Sequence, residues 1–419
     1  MSDLVKRNET EILELYLHIP FCVWKCSYCD FLSFPASGEI RHAYVDKLVQ
    51  EIRECGKRPE TAGRTVATVF LGGGTPSLLE SEETERILDA VGTSFSVEKE
   101  AEITMEANPG AFDGKKARHW RKAGINRLSL GLQSACDAEL ERLGRIHTGR
   151  GFLESFHLAR EAGFENMNVD LMSALPGQTT ESFLRTLECA AELSPEHISA
   201  YSLIIEEGTP FYESYGAMEA DLERFGEYEE IPLARRARYK DLLPLPGEEA
   251  DREMYHLTKA YLRERGYERY EISNYAKPGR ECRHNIGYWN GTDYLGLGLG
   301  ASSLLAGSRF SVTRSLETYL KLTPEDFRTG RQYIETSILS EKERMEEFMF
   351  LGLRLIRGVC PAEFAERFGC SMESVYGQAL LKLREEGLLA LSGEGERERI
   401  FLTEPGLDVS NYVLAKFLL

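Results

Sequence analysis

Three cysteines, Cys22, Cys26 and Cys29, stand within eight residues in the spacing C-x3-C-x2-C, with no fourth cysteine beside them. Zinc sites usually pair two C-x2-C units to reach four ligands. A cubane iron–sulfur cluster takes one thiolate per iron, so three thiolates leave one iron open to an external chelate. The amino and carboxylate groups of S-adenosylmethionine suit that vacancy. An electron passed into the sulfonium would then cleave a C–S bond and release a 5′-deoxyadenosyl radical, with the protein supplying position and shielding. A zinc knuckle completed by His18 or a distant cysteine is the alternative. His18 lies on an alternating strand, where a hydrogen-bonded core histidine is the favoured reading.

The other chemistry-bearing residues fall at strand ends. Gly72-Gly73-Gly74-Thr75-Pro76 offers bare backbone to a ligand, and a plain tight turn is its simpler reading. Glu106 could receive ribose hydroxyls or an ammonium. Gln133, Arg145 and Asp170 are polar residues expected nearby, and Arg145 also reads as a helix-end surface charge.

These residues need a frame that gathers them. Short apolar runs at 13–19, 66–71, 101–107, 127–131, 168–172 and 197–203 alternate with amphipathic helical stretches, which implies βαβ units and a parallel sheet. Six such units predict an α/β fold, a partial (β/α)6 TIM-like barrel. Function in such barrels sits on loops after the strands. The expected layout is a polar tail over 1–12, the barrel over 13–213, and an insertion or linker with a barrel-edge region over 214–330. A C-terminal winged-helix-like α+β domain follows over 331–419. Within these, 249–265 reads as helix and 267–273 as strand.

Composition narrows the function classes. The 419 residues carry 50 Lys plus Arg against 68 Asp plus Glu, a net charge of −18, which disfavours nucleic acid. Acidic residues outnumber basic ones in the winged-helix-like segment too, so a protein contact is expected there rather than DNA. No run is apolar enough to span a membrane, and the first ten residues lack a signal-peptide core. The nine cysteines are therefore expected to be reduced in the cytoplasm.

With Tyr16-Leu-His-Ile-Pro-Phe-Cys22, Gly72-Gly-Gly-Thr-Pro76, Glu106-Ala-Asn-Pro109, Leu130-Gly-Leu-Gln133, Asp170-Leu-Met and Leu175-Pro-Gly177 in view, the chain resembles the radical S-adenosylmethionine superfamily. It is similar to the branch that holds oxygen-independent coproporphyrinogen III dehydrogenase (HemN) and the HemW-type haem chaperones. The resemblance implies a [4Fe–4S] cluster on the three cysteines. It implies that Tyr16, Gly73 and Glu106 contact the cluster-bound S-adenosylmethionine, with Tyr28 also at the cofactor. Gly74, Thr75, Gln133, Arg145 and Asp170 match contacts to a second S-adenosylmethionine in the dehydrogenase. The sequence departs from relatives at Ser173-Ala174.

Two features point to the chaperone type. Phe31 stands where the dehydrogenase motif has a fourth cysteine. His284-Asn285-Ile286-Gly287-Tyr288-Trp289 matches an H-N-x-x-Y-W signature. His284 is then a candidate axial ligand for haem, with Cys282 as rival and a structural role as the other reading. The resemblance implies haem as cargo, haem-accepting respiratory proteins as partners, and a cytoplasmic protein with peripheral membrane contact. The competing expectations are a radical enzyme acting on a tetrapyrrole and a DNA-linked regulator.

Overall fold

The computed structural model describes residues 11–419; of the tail expected over 1–12, the first ten residues lie outside it and Ile12 already opens the first strand. Alternating strands and helices open the chain: β1 (Ile12–Ile19), α1 (Gly38–Cys55), β2 (Thr65–Gly73), α2 (Ser81–Ser94), β3 (Ser96–Ala107), α3 (Gly114–Ala123), β4 (Arg127–Gln133), α4 (Asp137–Arg142), α5 (Gly149–Glu161), β5 (Met167–Ser173), α6 (Thr180–Glu192) and β6 (His197–Ser202). The strands β1 to β6 lie side by side in chain order, all parallel. This is the partial barrel the alternation predicts.

Side chains alternate across each strand. Leu13, Leu15, Leu17 and Ile19 of β1 point to the helices, as do Val69, Leu71, Leu128, Leu130, Val169 and Leu171, and all are buried in one core. The opposite face is polar. Cross-strand register places Glu14 beside Thr68 and Glu102, then Tyr16 beside Phe70 and Thr104, then His18 beside Gly72. Glu106, Ser129, Asn168 and His197 continue that upper row.

The chain continues with α7 (Pro210–Phe225), α8 (Leu233–Arg236), α9 (Glu248–Arg263), β7 (Glu268–Arg269), β8 (Asn274–Ala276) and α10 (Arg283–Asn290). Residues 214–250 are therefore no linker. Phe211, Tyr215, Met218, Tyr239 and Leu245 pack on Leu143, Met172 and Leu175 at the barrel's end. Their Glu/Arg-rich outer faces and the Leu-Pro-Leu-Pro run hide this pattern in the sequence. The single strand expected over 267–273 is instead two short strands, because Glu271 turns the chain by accepting from Ser273 N at 2.9 Å and Asn274 Nδ2 at 2.6 Å.

A four-stranded extension, β9 (Tyr294–Leu297), β10 (Ser302–Leu305), β11 (Ser308–Val312) and, after α11 (Leu316–Lys321) and α12 (Pro324–Thr329), β12 (Tyr333–Ile338), continues the sheet beyond β1. The last unit holds α13 (Glu341–Gly352), α14 (Pro361–Phe368), α15 (Met372–Glu385) and the antiparallel pair β13 (Leu389–Ser392) and β14 (Arg399–Leu402) around its own core. Three helices and a two-stranded ribbon are the make-up of the winged-helix-like reading, but the unit begins after β12, which pairs with β11 of the main sheet, and not, as expected, at residue 331.

The segment carrying His284 is the helix α10, set against the lower lumen and not a loop at the barrel edge. Its N-terminus is closed by Glu102, whose carboxylate accepts from Arg283 N at 3.1 Å and His284 N at 3.2 Å. A carboxylate there satisfies free amides and opposes the helix dipole. Gly287 is required for the close approach, since a Cβ would collide with Glu14. The far end of α10 meets the C-terminal unit, where Arg354 lies 4.4 Å over Trp289 and Arg357 donates to Asn290 Oδ1 at 2.7 Å. Replacing Glu102 with alanine uncaps this helix. We expect a loss of at least about 1–2 kcal/mol, read as a lower urea midpoint; an unchanged midpoint would refute the capping role.

Candidate functional site at the barrel mouth

The cysteine loop leaves β1 and is closed at its neck by backbone bonds, Cys22 N to Phe34 O at 3.2 Å and Phe34 N to Pro20 O at 3.0 Å. The glycine loop after β2 is stitched to it, Gly74 N to Ile19 O at 2.9 Å and Thr75 N to Phe21 O at 2.7 Å. A Cβ at Gly74 would strike the Ile19 and Phe21 backbone. Cys29 N bonds Cys26 O at 3.2 Å, Ser27 N bonds Leu143 O at 3.0 Å, and Phe211 N bonds Ser27 O at 2.9 Å. The loop is thus held by the segments that follow β2, β4 and β6.

Side chains complete a ring around the thiols. Cys22 Sγ lies 3.4 Å from Thr75 Oγ1, which accepts from Asn108 Nδ2 at 2.8 Å. Arg145 Nη2 donates to Asn108 Oδ1 at 3.1 Å and to Gly131 O at 2.9 Å, while its Nη1 reaches Cys26 Sγ at 3.7 Å. Arg145 is therefore part of the site and not a surface charge. All three cysteines are half-buried. Burial, reinforced by the neighbouring thiols and eased by a backbone bond from Phe31, pushes the Cys29 thiol up to about 11. Such a thiol is deprotonated only with a metal to hold the thiolate.

A cubane binds each thiolate at a different iron, so three thiolates set along one loop suit it. His18 is not free to complete a zinc site, because both its ring nitrogens are engaged: Nδ1 with Tyr16 Oη at 3.0 Å and Nε2 with the Leu32 carbonyl at 2.9 Å. The donor set fits the cluster.

The remaining candidates divide by height in the barrel. Glu106 accepts from Gly73 N at 3.0 Å. Gly73 has φ +106°, and a Cβ there would run into the His18 ring. Burial, with Asp170 nearby, pushes Glu106 up to about 7. Asp170 is raised by burial although Asn168 and Ser129 donate to it at 2.7 and 3.1 Å. Gln133 sits at φ +65° at the end of β4 and accepts from Tyr201 Oη at 3.2 Å. The Tyr28 hydroxyl is raised by burial, with Arg145, Cys26 and Asp170 around it. Tyr16, Gly74 and Thr75 lie with these.

His284 does not join them. Its ring is 1% exposed, Nδ1 bonds Thr68 Oγ1 at 2.6 Å, and Phe70 stacks on it at 5.1 Å. Burial, with Arg127 nearby, lowers it to about 3. Its Nε2 is buried without a hydrogen-bond partner among the described residues. As placed, the ring has no open side for a porphyrin, and Cys282, 0% exposed beside Glu102, has none either. This setting agrees with the structural reading of His284; haem ligation there would require the ring to be uncovered. Sequence reading also missed Tyr201, Ser129 and the His18–Leu32 bond; inward positions at i, i+2 along each strand were the available signal.

Residues 16–190 match the Radical SAM superfamily and residues 339–409 the HemN C-terminal domain. The chain is 37% identical to the heme chaperone HemW of Lactococcus lactis, over 96% of this chain and 97% of that protein. It is 35% identical to the Bacillus subtilis HemW, over 96% and 98%. The fold superposes on Escherichia coli coproporphyrinogen III oxidase (HemN) with TM-score 0.76 and 24% identity, covering 98% and 91% of the two chains.

The Glu106 carboxyl sets a pH dependence. A carboxyl raised to about 7 is protonated below that value and becomes an acceptor above it. In cluster-loaded protein, S-adenosylmethionine should bind more tightly as pH rises from 6 to 8. Glu106→Gln should bind weakly with no such slope; a wild-type affinity flat across this window would contradict the role.

Proposed function

The chain belongs to the HemW family of radical SAM proteins, and from that premise we propose that it binds haem and passes it to respiratory proteins at the membrane. Cys22, Cys26 and Cys29 would hold a [4Fe–4S] cluster whose free iron takes the methionine end of S-adenosylmethionine. When bound, that pair supplies a reductively generated radical or a redox-sensitive conformation. The polypeptide's part is separate: Gly73 and Gly74 bring bare backbone to the cofactor, Glu106 accepts from it, and Arg145 places a cation beside Cys26.

The observation that carries the reading is Phe31, 61% exposed on the cysteine loop. It fills the position of the dehydrogenase's fourth cysteine and offers no thiol. The coproporphyrinogen-dehydrogenase reading keeps only the shared fold in its favour. Among the described residues no helix is long and apolar enough to cross a membrane, so transfer to a membrane recipient would be by peripheral contact.

Anaerobically reconstituted protein should bind haem saturably, read by the Soret band, and should yield no protoporphyrinogen from coproporphyrinogen III with S-adenosylmethionine and reductant. Absence of saturable binding, or formation of that product, would overturn the reading. Cys22→Ala, Cys26→Ala and Cys29→Ala should each abolish S-adenosylmethionine cleavage.

A further inference from the structure

Many polar groups on the inner face of the sheet pair off with one another. Asn168 Nδ2 donates to Ser129 Oγ and to Asp170 Oδ1, both at 2.7 Å, and Asn168 Oδ1 lies 2.6 Å from His197 Nδ1. His197 Nε2 meets the Tyr270 hydroxyl at 2.9 Å. Arg127, at the start of β4, stands apart from this net. It is 2% exposed and makes no hydrogen bond or ion pair among the described residues. Its Nε is sealed and unpartnered, whereas its Nη atoms are not sealed. A guanidinium stays charged in any protein setting, so its burial is not relieved by losing a proton. A buried cation is costly unless an anion meets it. The carboxylates nearby are committed elsewhere: Glu102 accepts from the α10 N-terminus, Glu106 from Gly73 N, and Asp170 from Asn168 and Ser129.

Two further unpartnered groups adjoin it. Thr104 is the register partner of Arg127 across β3 and β4, is 0% exposed, and its Oγ1 has no hydrogen-bond partner among the described residues. On its other side Thr104 faces Phe70, and Phe70 stacks on His284, whose Nε2 is likewise unpartnered. Tyr16 completes the row beside Phe70. Both rings are partly exposed although they sit in the middle of the sheet, as are Glu106 and Asp170 on the same face. The lumen is therefore open down to this row, where it presents aromatic faces beside a cation and a hydroxyl. A carboxylate matches that set: it takes a guanidinium through two oxygens and accepts from a hydroxyl. Burial raises both Glu106 and Asp170, which lessens their repulsion of an incoming anion.

We propose that Arg127 and Thr104 seat a carboxylate arm of the tetrapyrrole, a propionate, with the Phe70 and Tyr16 rings alongside its apolar stem. Only a slender arm enters among groups this buried, so the macrocycle itself lies outside this seat. His284 Nε2 adjoins the same row and is left unspent by it. The proposal rests on the haem-carrier reading above and specifies how the acidic edge of the cargo is held.

The test is titration of cluster-loaded protein with ferric haem and with its dimethyl ester, which keeps the macrocycle and has no free carboxylate, both followed by the Soret band. The wild type should hold haem at least about tenfold more tightly than the ester, the worth of a charge-assisted hydrogen bond. Arg127→Gln should lose that preference while its affinity for the ester stays at the wild-type value. Arg127→Lys should retain part of the preference, and Thr104→Val, which leaves the guanidinium in place, should narrow it. Retained cluster absorption shows that a variant is folded; where Arg127→Gln loses it, the lysine and valine variants carry the comparison. A merely structural Arg127 would lower both ligands alike, and that result would overturn the proposal. Equal wild-type affinities for haem and ester would overturn it too. So would a loss in the Arg127 variants confined to S-adenosylmethionine, which would assign the seat to that molecule's own carboxylate. Each of these leaves the haem-carrier reading standing, whereas no saturable haem binding by the wild type would remove both.

Discussion

The imidazole of His18 is held from both sides. Tyr16 donates to Nδ1, and Nε2 donates to the carbonyl of Leu32, three residues past the last cysteine. Burial lowers the ring's proton affinity and keeps it neutral, which is what this acceptor–donor pair requires. Its own carbonyl accepts from Tyr44 at 2.6 Å, and Gly73 passes so close that no side chain fits. One ring therefore fixes the first strand, the end of the cysteine loop and the glycine clamp relative to one another. A protonated or absent imidazole would leave the Leu32 carbonyl and the Tyr16 hydroxyl to find other partners inside the barrel, where an unmet polar group costs about 1–3 kcal/mol.

Around that pin, a parallel sheet does the rest. Its outward face is aliphatic and seals the helices, while its inward face is mostly polar, with Phe70 among the exceptions. The lower rows are spent on structure: Glu14, Thr68 and Glu102 receive α10 and couple the barrel to the C-terminal unit through Trp289 and Asn290. The upper rows are spent on the mouth, with Glu106, Asp170 and Gln133, and Arg145 reaching the Cys26 thiol. Height in the lumen, and not distance in sequence, separates His284 from the residues at the mouth.

The sequence made the barrel legible because its signals are local. Period-two apolar runs and intervening amphipathic helices mark β1 to β6 within a residue or two, apart from an earlier start to β3 at Ser96. The cysteine spacing and the Gly72–Pro76 turn mark the mouth for the same reason. Residues 214–250 misled because short helices with charged outer faces look like linker until their Tyr and Met contacts are seen. His284 stayed open between a ligand and a structural role because a motif states residue types, whereas exposure depends on which end of the lumen the helix enters. Arg145 was ambiguous until Asn108 and Cys26 stood beside it.

The central claim is a cubane held by three thiolates with its fourth iron open to S-adenosylmethionine. Electron paramagnetic resonance of the reduced, anaerobically prepared protein tests it most directly. A [4Fe–4S] signal whose g-values shift when S-adenosylmethionine is added is the expected result. A silent sample containing tetrahedral zinc, or a cluster signal indifferent to the cofactor, would contradict it.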